Sequence, residues 1–148
     1  MRAFSALVLS AALAFPAFAQ ETATETPTLR IVEASEVNLF QFAWTHRPIF
    51  VFADSPFDPR FEEQISLLLD DAEALVLRDV VVITDTDPND MSDLRKDLRP
   101  RGFGLVLIGK DGQVKLRKPS PWDVREITHA IDKWPIRLKE IRDEQGKS

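Results

Sequence analysis

The sequence predicts an α/β domain: a central, mixed four-stranded sheet in the order β-α-β-α-β-β-α, with helices on both faces and an N-terminal extension. Three observations lead there. Residues 49–53, 80–84 and 103–108 are short apolar runs without polar alternation, the pattern of strands buried on both faces. Phe61, Ile65, Leu68, Leu69, Ala72, Leu75 and Val76 recur at helical spacing and mark one apolar stripe. Asp111-Gly112, between the third run and an alternating segment, is a hairpin signal.

In chain order, residues 28–32 suit a short edge strand. Ser35 is placed to cap a short helix carrying Val37, Leu39, Phe40, Ala43 and Trp44. The run 49–53 then ends abruptly in Asp54-Ser55. Asp58 suits an N-cap and Pro59 the first helical turn, where a missing N–H costs nothing. The stripe predicts one helix over 59–77, with Glu62 and Glu63 complementing its dipole. The β-branched run 80–84 is the second strand. Ser92 or Asp90 can cap a short helix over 93–98, stopped by Pro100. After the third strand, Asp111-Gly112 predicts a tight primed turn, and the following strand should point Val114 and Leu116 inward, Lys115 and Arg117 outward. Ser120-Pro121-Trp122-Asp123 reads as a capping box for the last helix, with Val124, Ile127 and Ile131 inside. Pro135 should kink or end it, with a further turn or two over 136–141. The first two strands are joined by a helical crossover and must be parallel; the last two are antiparallel.

Residues 1–19 read as a cleavable export signal: Arg2, an apolar stretch over 3–15, and Ala17-Phe18-Ala19 before a polar shift. A cut after Ala19 leaves 129 of 148 residues, one domain that buries about two-thirds of its unfolded surface. The expected compartment is the periplasm or the exterior, and no later stretch is apolar enough to span a bilayer. Residues 20–34 form a flexible Thr/Glu/Pro-rich leader with the edge strand, 35–135 the domain, and 136–148 a helical extension and tail. The chain has no cysteine, so no thiol can act as nucleophile or ligand and no disulfide braces the fold. Charge is unevenly spread. Residues 20–94 hold 4 basic and 16 acidic groups, whereas 95–118 hold 8 basic and 2 acidic ones. Such polarity can orient a partner, and two solvated faces explain it equally well.

Segment by segment, this order resembles the thioredoxin core. Phe52-Ala53-Asp54 is similar to the strand that delivers a redox motif, and residues 101–112 to the strand and hairpin behind it. Arg47-Pro48, Phe52-Ala53, Ser55-Pro56, Asp58-Pro59-Arg60, Asp79-Val80-Val81-Val82, Leu98-Arg99-Pro100-Arg101-Gly102-Phe103, Gly109-Lys110-Asp111-Gly112 and Pro121-Trp122 carry a closer likeness. On these residues the chain resembles the DUF4174 family, bacterial secreted domains of unknown function related to domains in animal sushi-repeat-containing and coiled-coil-domain-containing secreted proteins. The resemblance implies a thioredoxin-like fold and lends no activity. Laid ungapped on a Cys-x-x-Cys motif, the two thiol positions fall on Pro56 and Pro59, a one-residue slip puts Ser55 at the first, and the position usually held by a substrate-clamping proline falls on Gly104. Thiol–disulfide exchange needs a thiolate, so composition excludes it, along with cysteine peroxidase chemistry.

Candidate binding residues are Asp54, Ser55, Asp58 and Arg60 at the helix start, and Arg99 and Arg101 before the third strand. A helix N-terminus with arginine beside it favours an anion. Local capping, turn formation and ion pairing are the competing readings of the same residues. Asp85-x-Asp87-x-Asn89 echoes a calcium loop, but Asp90 stands where that loop needs glycine and Lys96 where it needs glutamate. His46 and His129 show no metal-ligand spacing, and no Gly-x-Ser-x-Gly elbow surrounds a serine. The expectation is therefore an exported binding module of the cell envelope, without metal, cofactor or nucleic acid. Its partner would be an envelope protein or an anionic ligand. The alternatives are non-cysteine chemistry on an anionic small molecule at the 54–60 loop, and a purely structural envelope protein.

Overall fold

Strand β2 (Arg47–Phe52) is buried along its whole length, as an unalternating apolar run requires. In the computed structural model, which describes residues 27–147, it lies at the centre of a five-stranded sheet. Strands β1 (Arg30–Glu33), β3 (Val80–Asp85), β4 (Gly104–Ile108) and β5 (Val114–Lys118) complete the order β1-β3-β2-β4-β5. β1 and β2 both run parallel to β3, while β2–β4 and β4–β5 are antiparallel. The sheet thus has five strands rather than four. The edge segment expected near residues 28–32 is a full member, paired Ile31 to Val82 and Val32 to Ile83.

Alternate side chains of the central strands build two apolar layers. On one face Ile49, Val51, Val82, Leu105 and Leu107 pack with Leu68, Leu75, Ile127 and Ile131. These come from helices α1 (Pro59–Asp70), α2 (Ala72–Val76) and α4 (Val124–Ile131). On the other face Phe50, Phe52, Ile83 and Val106 meet Phe42 and Leu98. That face is covered by two 3-10 turns, Ala34–Glu36 and Leu39–Phe42, and by α3 (Asp93–Leu98). A final helix, α5 (Pro135–Gln145), has no buried residue of its own. Among the described residues, no helix is long and apolar enough to cross a membrane.

Several local expectations are corrected. The single helix over 59–77 is two, broken at Asp71, whose φ of −136° and ψ of 51° leave the helical region. The stripe also shifts: Leu69 is exposed, and Gln64 takes a buried place. Its side chain donates to the Trp122 carbonyl (2.8 Å) and accepts from the Trp122 N–H (2.9 Å), so a polar side chain becomes a core residue by satisfying a backbone. Instead of a Ser35-capped helix, the segment makes the two 3-10 turns, the second capped by Asn38. The hairpin is not a primed turn. Only Gly112 has positive φ (76°), its N–H donates to the Gly109 carbonyl, and Gly109 donates to Gln113, the pattern of a three-residue loop with a glycine bulge. A register shift in the β4–β5 ladder, where Leu107 faces Leu116 and Ile108 faces Val114, breaks the expected alternation, and Val114 is exposed. Asp123, not Ser120, caps α4, accepting from the Glu126 N–H. α5 continues well beyond a turn or two. The export signal, the cut after Ala19 and most of the leader lie outside the described residues.

Candidate functional site

Three connections converge at one end of the sheet. Phe52 pairs with Asp85 on one side and with Gly104 on the other. The loop after β2, the loop after β3 and the segment entering β4 therefore lie together.

At the start of α1, Asp58 accepts a hydrogen bond from the Arg60 N–H (2.9 Å), the ordinary work of an N-cap. The Arg60 guanidinium then turns back on the same carboxylate, with Nε 3.1 Å from Oδ1 and Nη2 2.8 Å from Oδ2. That side-chain pairing, with the backbone N–H bond, holds the Asp58 carboxyl below its usual range. Ser55 Oγ accepts from the Phe57 N–H (3.1 Å) and makes a local turn. Asp58, Arg60 and Ser55 thus satisfy one another's neighbourhood. Arg60 also lies 5.6 Å from the centroid of the Phe103 ring, which joins this loop to the one before β4. Gly102, at φ +64°, completes the approach: a Cβ there would sit 3.8 Å from Arg60 Nη2 and 4.0 Å from Asp54 Oδ2.

Arg99 and Arg101 are placed differently. Arg99 ends α3 in the left-handed conformation (φ 48°) and its N–H returns to the Arg95 carbonyl. Both arginines are exposed. Among the described residues, neither guanidinium forms an ion pair or hydrogen bond, so Asp58 is paired with Arg60 alone and ion pairing does not account for Arg99 or Arg101.

The residue that sequence reasoning missed is Arg95. It is buried at the inner face of α3, with Nε and Nη2 3.0 and 2.8 Å from Asp85 Oδ1. Nη2 also reaches the Ala53 carbonyl (2.9 Å) and the Asp85 carbonyl (3.1 Å), while Ser92 Oγ donates to Asp85 Oδ2. The aspartate that opens the calcium-like pattern is therefore consumed by an arginine. Asp87 Oδ1 merely accepts from the Asn89 N–H. The signal for Arg95 was present: it shares a helical face with Leu98, and Asp85 ends an apolar strand. Arg95 Nη1 has no hydrogen bond among the described residues; its nearest carboxylate oxygen is Asp54 Oδ1, at 4.0 Å. Asp54, Arg95, Lys96, Arg99 and Arg101 line an open cleft of about 530 Å³. On the far side of Arg101, a smaller recess of about 240 Å³ is bordered by Arg117 and Lys118. The cleft is therefore predominantly cationic, with one exposed carboxylate at its mouth.

The family model described as "Domain of unknown function (DUF4174)" matches residues 38–140. The chain belongs to the DUF4174 family. Within curated proteins, this DUF4174 chain is similar to coiled-coil domain-containing protein 80 of Danio rerio, 28% identical over 138 residues, with 73% of this chain and 16% of that protein covered. It therefore spans about one-sixth of that relative. The reduced 2-Cys peroxiredoxin of Plasmodium vivax is similar in structure, with a TM-score of 0.56 and 19% identity over 70% of this chain and 85% of that one. A chloroplastic thioredoxin z gives a TM-score of 0.53 and 20% identity, covering 73% and 95%. Thioredoxin of Malassezia sympodialis gives 0.52 and 13%, covering 72% and 91%. These likenesses make the DUF4174 domain thioredoxin-like in fold. It contains no cysteine.

Proposed function

We propose that this DUF4174 domain is an exported, non-catalytic binding module of the cell envelope that engages an anionic group of a partner protein at the Arg95–Arg99–Arg101 cleft. The observation that carries the reading is the contrast between two neighbouring arginine sets. Arg60 is closed on Asp58, whereas Arg99, Arg101 and one nitrogen of Arg95 face an open cleft with no carboxylate in hydrogen-bond reach among the described residues. Arginine forks suit carboxylates and phosphates because two parallel N–H donors match two oxygens. Chemistry at the 54–60 loop has less support, since Ser55 Oγ accepts from the Phe57 N–H and the cap carboxylate is held by Arg60.

The test is crosslinked pull-down from an envelope extract, comparing the natural chain with Arg99→Glu/Arg101→Glu and with Arg142→Glu on α5. The reading requires a captured protein that is lost in the first variant, kept in the second, and released as salt is raised. Identical capture by all three would overturn it.

A further inference from the structure

A second recess opens on the same end of the molecule, separated from the basic cleft by Met91, which lines both. Its volume is about 650 Å³. One wall is the pair of 3-10 turns; the other is the start of α3. Val37, Leu39 and Leu94 form an apolar floor backed by the core. Phe40 and Met91 stand beside it, 86% and 53% exposed. Isolated apolar side chains on a surface are ordinary. Two large ones lining a groove whose floor is also apolar form a patch of the kind that marks an interaction site.

Charge selects the occupant. Asp90, Asp93 and Asp97 lie along this groove, and among the described residues no lysine or arginine lines it; Lys96, on the basic-cleft side of α3, reaches over to Asp93 at 3.1 Å and leaves Asp90 and Asp97 as the unpaired carboxylates. Acidic groups around an apolar floor repel anionic lipid headgroups and phosphates. They complement a segment that flanks apolar side chains with lysine or arginine. The walls narrow the choice further. Both are helical, so the groove offers no strand edge onto which an extended peptide could add main-chain hydrogen bonds. Of the ligands that bind without a strand edge, an amphipathic helix carries apolar anchors and cations on adjoining faces, which is what an apolar floor rimmed by carboxylates suits.

We propose that this groove docks a basic amphipathic helix of a partner protein, its apolar side chains seated against Phe40 and Met91 and its cations facing Asp90, Asp93 and Asp97. The groove and the basic cleft have opposite charge preference, so either proposal can fail without the other.

The probe is a fluorescein-labelled 14-residue peptide of leucine and lysine patterned as an amphipathic helix, titrated with the purified full chain. Controls are the same residues scrambled, a leucine/glutamate counterpart, and phosphatidylglycerol vesicles. The patterned peptide should bind about tenfold more tightly than the scrambled one, equivalent to ~1.4 kcal/mol. Phe40→Asp, and separately Asp90→Asn/Asp93→Asn/Asp97→Asn, should each weaken it at least about tenfold. Phe40 is exposed, so its variant retains the fold, checked by circular dichroism. Arg99→Glu/Arg101→Glu should not weaken binding, since added negative charge beside the groove attracts the lysine-rich peptide. Equal binding of scrambled or glutamate peptides, insensitivity to Phe40→Asp, or preferential binding of vesicles would overturn the proposal. So would self-association abolished by Phe40→Asp with no peptide binding, which would assign the groove to a second copy.

Discussion

Arg95 closes both of its inward nitrogens on one oxygen of Asp85 while bonding the carbonyls of Ala53 and Asp85. One side chain from α3 thereby ties together the ends of the two central parallel strands. Its guanidinium also lies over Phe52, with Cζ 5.6 Å from the ring centroid. Removing Arg95 leaves Asp85 buried with only Ser92 as a donor from a side chain. Breaking a buried pair from one side costs about 3–5 kcal/mol. Arg95→Ala should lose that much in urea unfolding, whereas Arg95→Met/Asp85→Leu should lose clearly less, because no orphaned charge remains. Equal losses would show that the hydrogen bonds to the Ala53 and Asp85 carbonyls, absent from both variants, rather than the ion pair, are what Arg95 supplies.

The opposite end of β2 is held by a different arginine. Arg47 is 1% exposed, and its Nη2 lies 3.0 Å from both oxygens of Glu140 while Nη1 reaches the Arg78 carbonyl at 2.8 Å. Lys110 from the hairpin adds contacts of 2.8 Å to Glu140 and 2.7 Å to Asp79. α5 has no buried apolar face, so charge carries much of its attachment. Glu140→Ala should lower stability by about 1.5–3 kcal/mol, the range for hydrogen bonds to charged groups. Backbone amides of α5 should exchange faster by a larger factor than those of β2. Uniform acceleration would mean that α5 is not separately anchored there.

Acid should act on the same contacts. Burial pushes the Glu140 carboxyl up, but hydrogen bonds from Lys110 and Arg47 outweigh it and hold the group below its ordinary 4.5. Arg78 pairs with Asp132 through two bonds of 2.9 and 2.7 Å and, against the opposing effect of burial, holds that carboxyl below its ordinary 3.8. A depressed folded value means that the unfolded chain binds protons first on acidification. The stabilisation is complete above the ordinary values and is lost as pH falls through the depressed ones. Denaturant midpoints should therefore be flat near neutrality and decline below about pH 4.5. Glu140→Gln should make that decline shallower. An unchanged slope in that variant would assign acid sensitivity to other carboxylates.

The apolar strands were legible because each lies between two layers, and such burial writes an unbroken apolar run into the chain. Asp58 and Ser92 were legible as caps because their partners lie two and three residues away. Arg99 and Arg101 were legible as a cationic pair from their own segment. Arg95 and Gln64 were not, since their partners lie 10 to 58 residues distant and only the fold brings them together. The break at Asp71 was hidden for a related reason: the apolar spacing continues across it, and only its dihedral angles interrupt the helix. The exposed places of Phe40 and Leu69 also defeat pattern reading, because apolar character alone does not distinguish a core face from a surface patch.

Gln64 shows how much a long-range polar contact can carry. Both halves of its amide are used by the Trp122 backbone, just before Asp123 caps α4. Gln64→Leu matches the apolar surroundings but takes away the partners of the part-buried Trp122 N–H and carbonyl, each worth up to about 1–3 kcal/mol when left unsatisfied. It should be more destabilising than Leu69→Gln on the exposed side of the same helix, measured by thermal unfolding. Comparable losses would imply that the Trp122 backbone finds water instead.

Gly102 sets the spacing between the loop carrying Arg101 and the loop carrying Asp54 and Arg60. The room for a methyl group exists, since the nearest atoms to a Cβ are 3.8 and 4.0 Å away. Conformation is the obstacle: at φ +64° an L side chain is disfavoured by about 1–2 kcal/mol. Gly102→Ala should lose that amount in urea unfolding. Gly102→Asn should lose less, because its short polar side chain tolerates the left-handed region, and Gly102→Val should lose more through its branched Cβ. A crowded site would instead rank the three by size, with alanine least harmful and asparagine worse, so the position of asparagine in the series separates backbone strain from steric exclusion.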